Sequence, residues 1–190
     1  MGIEKLFEVL SAFHTLSPDF KEALERECRH TVFPRGHNLV HVHSAAHHAF
    51  FMESGFAVQF RYEGTRRIVT AFWGSADIIF SPKSFFGQFP AEEIIQLTAD
   101  SELLSLSHTS FLRLVESFPV AGRLARDVTA EYYARSEERI FDLHTLDAWE
   151  RYTKLLDVYP RIEQYVSQEF IASYLNITPQ SLSRMKAQHQ

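Results

Sequence analysis

The sequence predicts an α+β protein in which a block of short antiparallel strands is set between helical segments. Three observations carry this. Between residues 31 and 107, β-rich segments alternate with turn signals at the spacing of a sandwich or barrel. On either side, apolar residues recur at intervals of three and four, as on one face of a helix. In the last thirty residues, two short helical segments flank a tight turn.

Ile3, Leu6, Phe7, Leu10 and Phe13 share one helical face, so an amphipathic helix opens the chain. Leu16-Ser17-Pro18-Asp19 stops it and supplies a new N-cap, and Phe20 to Arg29 reads as a second helix. The strand segments are Asn38–His43, Ala49–Glu53, Ala57–Tyr62, Arg67–Phe72, Ile94–Leu97 and Glu102–Ser107. Turn signals separate them at Pro34-Arg-Gly36, Glu53-Ser-Gly55, Glu63-Gly64, Trp73-Gly74 and Ser81-Pro82. Helix returns at Thr109–Val115, and Pro119 starts a long helical segment reaching about residue 143. Its stripe of Ala121, Leu124, Ala125, Val128, Tyr132, Ile140 and Leu143, broken near Ser136, either pairs two copies of the chain or covers the barrel. Thr145 to Tyr159 is a further helix, with Trp149, Tyr152, Leu155 and Leu156 inward and Pro160 as its stop. The expected division is residues 1–143 for the barrel with its helices and 144–190 for the C-terminal helices.

The C-terminal segment Ile171-Ala-Ser-Tyr-Leu-Asn-Ile-Thr-Pro-Gln-Ser-Leu-Ser-Arg184 is the most informative stretch. Ile171, Ala172 and Leu175 give its first helix an apolar face, and Asn176 can end that helix in the left-handed conformation. Ile177 plugs the turn. Thr178 followed by Pro179 is an N-cap with proline at the first helical position, where its missing N–H costs nothing. Leu182 and Met185 point inward, while Gln180, Ser183, Arg184 and Ala187 share the outer face. This is the pattern of a DNA-binding helix-turn-helix, whose second helix lies in the major groove.

Composition narrows the classes. A net charge of −5 argues against general nucleic-acid affinity, and the tail from residue 161 is only weakly basic, so phosphate contacts come from few residues. No apolar run reaches the roughly 20 residues a bilayer span needs. Met1-Gly-Ile-Glu-Lys lacks an apolar signal core, and the single cysteine, Cys28, cannot close an internal disulfide, so a cytoplasmic location with no membrane partner is expected. No glycine-rich phosphate loop or nucleophile elbow appears, so no enzyme activity, catalytic residue or cofactor is expected.

The order of these elements resembles the catabolite-activator/FNR (CRP/FNR) family of bacterial transcription regulators. Phe33-Pro-Arg-Gly36 looks like that family's opening barrel turn, and Phe50-Phe-Met-Glu-Ser-Gly55 like its strand and turn ending in glycine. Asp100-Ser-Glu-Leu-Leu-Ser-Leu-Ser107 resembles the final barrel strand, and the 171–184 segment resembles the branch common in Bacteroidetes. The resemblance implies a jelly-roll, cyclic-nucleotide-binding-like barrel that senses an effector, a long dimerisation helix, a homodimer, and double-stranded DNA as partner. It puts the base-reading positions on Pro179, Gln180 and Arg184. Arginine reads guanine and glutamine reads adenine bidentately, whereas proline has no side-chain donor. Thr178 and Ser181 suit phosphate, as does Lys186, and Ser183 completes the exposed face.

Family members that bind cyclic nucleotides carry a Gly-Glu pair and then an Arg-Ser pair. Laid on that pattern from Asp77, this sequence has Phe80-Ser81 and Ala91-Glu92. The groups that hold the phosphate and the ribose are missing, and Glu92 and Glu93 would repel a phosphate. A small-molecule effector of unknown identity, not cAMP, is therefore the expectation. Its pocket would lie among Phe72, Trp73, Phe80, Ser81, Phe85, Ala91 and Glu92, unless the aromatic residues simply fill the barrel. His37, His41, His43, His47 and His48 lie within twelve residues. His41 and His43 on one strand face would suit a cupin-like metalloprotein, but the next glutamate is Glu53 and the fit is poor, so no metal site is assigned. A degenerate family member acting by protein–protein contact is the remaining alternative.

Overall fold

The computed structural model describes residues 2–189. Helix α1 spans Gly2–Ser11 and α2 spans Pro18–Glu27. Ser17 caps α2 by accepting from the Phe20 N–H at 3.2 Å, with Pro18 at the first helical position. The strands are β1 (Arg29–Phe33), β2 (Asn38–Val40), β3 (His48–Ser54), β4 (Ala57–Glu63), β5 (Arg66–Trp73), β6 (Ile78–Ile79), β7 (Ile94–Leu97) and β8 (Ser101–Ser107), with a short helix α3 (Pro82–Gly87) after β6. They form two four-stranded antiparallel sheets, ordered β1-β8-β3-β6 and β2-β7-β4-β5. Apart from the β4–β5 hairpin, each strand is followed by one in the opposite sheet, which makes the block a jelly roll. Gly55 sits at the β3–β4 turn with φ +114°, and a Cβ there would come within 2.8 Å of the Ser101 Cα. Only glycine fits that close approach.

Three local features differ from the sequence expectation. The second helix stops at Glu27, and Arg29 begins β1, which pairs along its whole length with β8. The expected strand Asn38–His43 ends at Val40, because the register shifts there and His43 adopts φ 66°. His41 and His43 therefore do not share a strand face. Ser81-Pro82, expected as a turn, starts helix α3.

The barrel interior is filled. Val40, Phe50, Met52, Trp73, Ile79, Phe85, Ile95 and Leu103 pack there and are almost wholly buried. Outside the β1-β8-β3-β6 sheet, α1, α2, α4 (His108–Ser117) and the start of α5 (Pro119–Thr145) cover Phe51 and Leu104. Helix α5 continues unbroken through Ser136, whose hydroxyl donates to the Tyr132 carbonyl one turn back at 3.0 Å. Its expected single stripe splits. Ala121 and Leu124 are buried, and Ala125, Val128 and Tyr132 are half-buried against the barrel and its helices, whereas Ile140 is 56% exposed. Eight residues beyond Tyr132 at 3.6 per turn, Ile140 lies about 80° off that line. It shares a free face with Tyr133 and Phe141, 62% and 66% exposed.

Helices α6 (Ala148–Val158), α7 (Ile162–Tyr165), α8 (Gln168–Tyr174) and α9 (Pro179–Gln188) follow. Asp147 and Glu150 form a reciprocal capping box at the start of α6. These helices join the barrel through a shared core. Phe56, Val58, Phe60, Val69 and Phe72, on the outer face of β4 and β5, pack with Tyr152, Leu155, Ile162, Phe170, Ile171 and Leu182. β5 is an edge strand, and α8 closes it. The Ser173 hydroxyl accepts from the Val69 N–H at 3.0 Å and donates to the Arg67 carbonyl at 2.8 Å. Arg139 of α5 adds a bond to the Val69 carbonyl at 3.3 Å. Among the described residues no helix is long and apolar enough to cross a membrane.

Candidate nucleic-acid interface

The C-terminal pair of helices is held by local chemistry that the sequence announces. Ser167 caps α8, accepting from the Phe170 N–H. Phe170, Ile171, Ala172 and Leu175 are buried. Asn176 takes φ 55°, and the Ile177 N–H then returns to the Ala172 carbonyl at 3.0 Å. Thr178 caps α9 by accepting from the Ser181 N–H at 3.1 Å, and Pro179 follows it. Leu182 is fully buried and Met185 partly so, which pins α9 by one side.

The other side of α9 is free. Gln180, Ser181, Ser183, Arg184 and Ala187 are all exposed. Gln180, Ser183 and Arg184 make no side-chain hydrogen bond or ion pair among the described residues, so their donors are available to a ligand. The Thr178 and Ser181 hydroxyls bond to each other at 2.9 Å while remaining at the surface. Lys186 stands apart. It is paired with Glu163, lies 6.0 Å from the Tyr152 ring centroid, and is only 23% exposed at its side chain. It ties α9 to α7. His189 stacks on Trp149 at 3.8 Å and fastens the end of α9 to α6. The tail's two carboxylates are thus occupied, Glu163 by Lys186 and Glu169 by Arg67 at 3.3 Å. Among the described residues this leaves Arg161 and Arg184 as tail cations with no carboxylate partner.

The residues expected to form an effector pocket do not line one space. Trp73, Phe85 and Ala91 are buried in the barrel core, while Phe72 faces outward into the core shared with the C-terminal helices. Phe80 packs on Phe86 and Tyr132. Ser81 donates to Glu93 at 2.5 Å, and the second Glu93 oxygen accepts from Arg61 at 3.2 Å. Glu92 is exposed and paired with Lys83 at 2.6 Å and Arg61 at 3.0 Å. From α5, Tyr132 reaches the barrel. Its hydroxyl donates to Gln59 at 3.1 Å, Gln59 donates to Thr70 at 2.9 Å, and its ring stacks on Trp73. Burial, with a contribution from Glu93, pushes the Tyr132 phenol up to about 12. The polar groups around the Ser81–Glu93 segment therefore satisfy one another. Sequence reasoning placed Glu93 beside the cassette and Tyr132 on the helix stripe but did not bring them together, and it missed Gln59. The one available signal was a glutamine inside an otherwise apolar strand.

The histidines do not converge. His37 stacks on Phe33 with centroids 4.4 Å apart, His47 Nδ1 meets Gln88 Oε1 at 3.0 Å, and His41 and His43 face solvent. Among the described residues no three His, Cys, Asp or Glu side chains come together as a metal site requires.

No protein-family model and no curated protein matches the sequence. Solved structures do match. FixK2 from Bradyrhizobium japonicum has a TM-score of 0.75 at 16% identity, over 85% of this chain and 83% of its own. CLP, the c-di-GMP responsive global regulator of Xanthomonas campestris, has a TM-score of 0.70 at 16% identity, over 92% of each chain. A transcriptional regulator assigned to the crp/fnr family from Eubacterium rectale has a TM-score of 0.69 at 13% identity, over 90% of this chain and 82% of its own. At these identities the likeness is one of fold: the chain has the fold of the catabolite-activator/FNR transcription regulators.

Proposed function

We propose that this chain is a homodimeric transcription regulator that binds double-stranded DNA sequence-specifically through α9. The observation that carries this is the free outer face of α9, with Gln180, Ser183 and Arg184 unpaired on a helix whose other face is anchored by Leu182. Arg184 is the guanine reader, Gln180 the adenine reader, and Thr178 and Ser181 contact phosphate. Two copies pair along α5 through Tyr133, Ile140 and Phe141, and the site is an inverted repeat with half-sites about one helical turn apart. Cyclic AMP does not act through the barrel in the usual mode, since Tyr132, Glu93 and Arg61 bond to the chain's own groups.

A mobility-shift and footprinting assay on the DNA upstream of its own coding sequence tests the reading. Arg184→Ala should weaken binding by about 1–3 kcal/mol and relax preference at one base pair per half-site. Unchanged affinity and base preference would remove Arg184 from this role. The pairing of Lys186 with Glu163 favours one second reading, contact with a protein partner in place of DNA, because it leaves few free cations on the tail. A pull-down of chromosomal fragments with no enriched motif would select it.

A further inference from the structure

Between α5, α6, α7 and the ends of β4 and β5 lies a cleft of about 810 Å³, outside the barrel and away from the exposed face of α9. Five basic residues line it: Arg135, Arg139, Arg151, Lys154 and Arg161. Its three acidic residues are already engaged. Asp77 is bound by Arg135 at 3.2 Å, and Lys154 takes both Glu138 at 2.6 Å and Asp142 at 2.8 Å. Arg139, Arg151 and Arg161 have no carboxylate partner among the described residues.

Arg139 and Arg151 are the unusual pair. Each donates to a backbone carbonyl at the end of α8, Arg139 to Tyr174 at 2.8 Å and Arg151 to the adjacent Leu175 at 2.9 Å; Arg139 also reaches the Val69 carbonyl and lies over the Tyr174 ring, and Arg151 also reaches the Leu146 carbonyl. The two cations therefore stand side by side, and burial together with the charge of Arg151 makes Arg139 a weaker base than an ordinary arginine. The Nε of each is buried without an acceptor. The plain structural account is that they cap α8, where the helix dipole is negative. That dipole amounts to roughly half a charge, against two full cations. Like charges held together with unsatisfied donors are costly unless an anion joins them. Tyr159 and Tyr165 also line the cleft, backed by the buried Phe56: Tyr165 stacks on it at 5.5 Å and Tyr159 lies edge-on to it at 5.3 Å. A doubly charged oxyanion suits the arginines, and a planar ring suits the two tyrosines.

We propose that this cleft binds a nucleotide, its phosphate between Arg139 and Arg151 and its base against Tyr159 and Tyr165. The site is separate from the cyclic-nucleotide cassette of the barrel, and its occupation does not require that the chain bind DNA. Because the same guanidinium groups hold the carbonyls that end α8, the bound phosphate touches the junction between the helix pair and the barrel.

Titration calorimetry on the full chain tests this with 5′-AMP and 5′-GMP, the matching nucleosides, and inorganic phosphate. At least one nucleotide should bind, and its nucleoside and phosphate alone should each bind at least about tenfold more weakly. Arg151→Gln should weaken the nucleotide by about tenfold or more, whereas Ser81→Ala, in the barrel segment, should leave it unchanged. If Arg151→Gln does not fold, hydrogen exchange on the unaltered protein decides: nucleotide should protect residues 151–161 and 172–176 and not residues 78–93. No binding of either nucleotide at about 1 mM, binding that survives Arg151→Gln, or protection confined to residues 78–93 would each overturn the proposal.

Discussion

Replacing Ser173 by alanine removes one oxygen and tests how the C-terminal helices are joined to the barrel. The Ser173 hydroxyl accepts from the Val69 N–H at 3.0 Å and donates to the Arg67 carbonyl at 2.8 Å. Val69 is fully buried, so in the variant its N–H keeps no acceptor and water does not reach it. A buried donor left unpaired costs about 1–3 kcal/mol. Arg67 is only half-buried, and solvent can replace the second bond at little cost. Alanine is the better helix former and returns about half a kcal/mol. The net loss should be about 1.5 kcal/mol, which for a chain of this size lowers Tm by about 3–6 °C. Thermal and urea unfolding followed by circular dichroism measure it. Ser183→Ala, an exposed serine of α9, is the control and should stay within about 0.5 kcal/mol of the unaltered protein. If Ser173→Ala matched that control, the hydroxyl would not be closing the sheet edge.

Three further outcomes are expected. Ile140→Glu, alone or with Phe141→Glu, should turn a dimer into a monomer in light scattering while circular dichroism shows the chain still folded, since both side chains are exposed within one chain; an unchanged mass would move the dimer contact elsewhere. Calorimetry should detect no micromolar binding of cAMP at the barrel, and a micromolar cAMP signal abolished by Ser81→Ala or Glu93→Gln would refute the self-satisfied arrangement of Ser81, Glu93 and Arg61. Burial raises the Glu163 carboxyl, but hydrogen bonds from Lys186, Tyr152 and Gln168 outweigh it and hold the group below its ordinary range. Its stabilising contribution is therefore complete above the unfolded value, about 4.3, and is lost as pH falls through the lower folded value. The stability difference between the unaltered protein and Glu163→Gln should shrink below about pH 4 in urea titrations; a difference that stays constant from neutral to strongly acidic solution would show that the carboxylate form is not what matters.

What could be read from the sequence was what neighbours in the chain decide. The Asn176 turn, the Thr178-Pro179 cap, the inward Leu182 and the Ser17-Pro18 cap are each set within five residues, and each stands where the pattern puts it. The same serine–proline signature at Ser81-Pro82 starts α3, and it was open to the same reading as Ser17-Pro18. Strand β1 was harder, because Arg29-His-Thr-Val-Phe33 directly follows a helix and exposes its alternate residues; only its partner β8 makes it a strand. The docking of the C-terminal helices on the barrel had one trace, in Ala57-Val-Gln-Phe60. All four residues are buried, which means a strand covered on both faces. The fate of the candidate pocket was legible only as two alternatives, an effector site or a barrel filled by its aromatic residues, and the structure has the second. Whether Tyr132 plugs a barrel or leaves it open depends on a helix more than fifty residues away from the strand it meets.

The core shared by the β4–β5 face and the C-terminal helices bears on how such a chain can evolve. A sensor and a reader joined by a linker can be exchanged between proteins as separate cassettes. Here Phe60, Val69 and Phe72 on one part and Phe170, Ile171 and Leu182 on the other form a single buried cluster. Neither set can be transplanted without leaving an apolar face uncovered, and any drift in the packing side of the C-terminal helices must be matched on the barrel. The two halves are bound to change together, leaving the exposed outer row of α9 as the part free to vary alone.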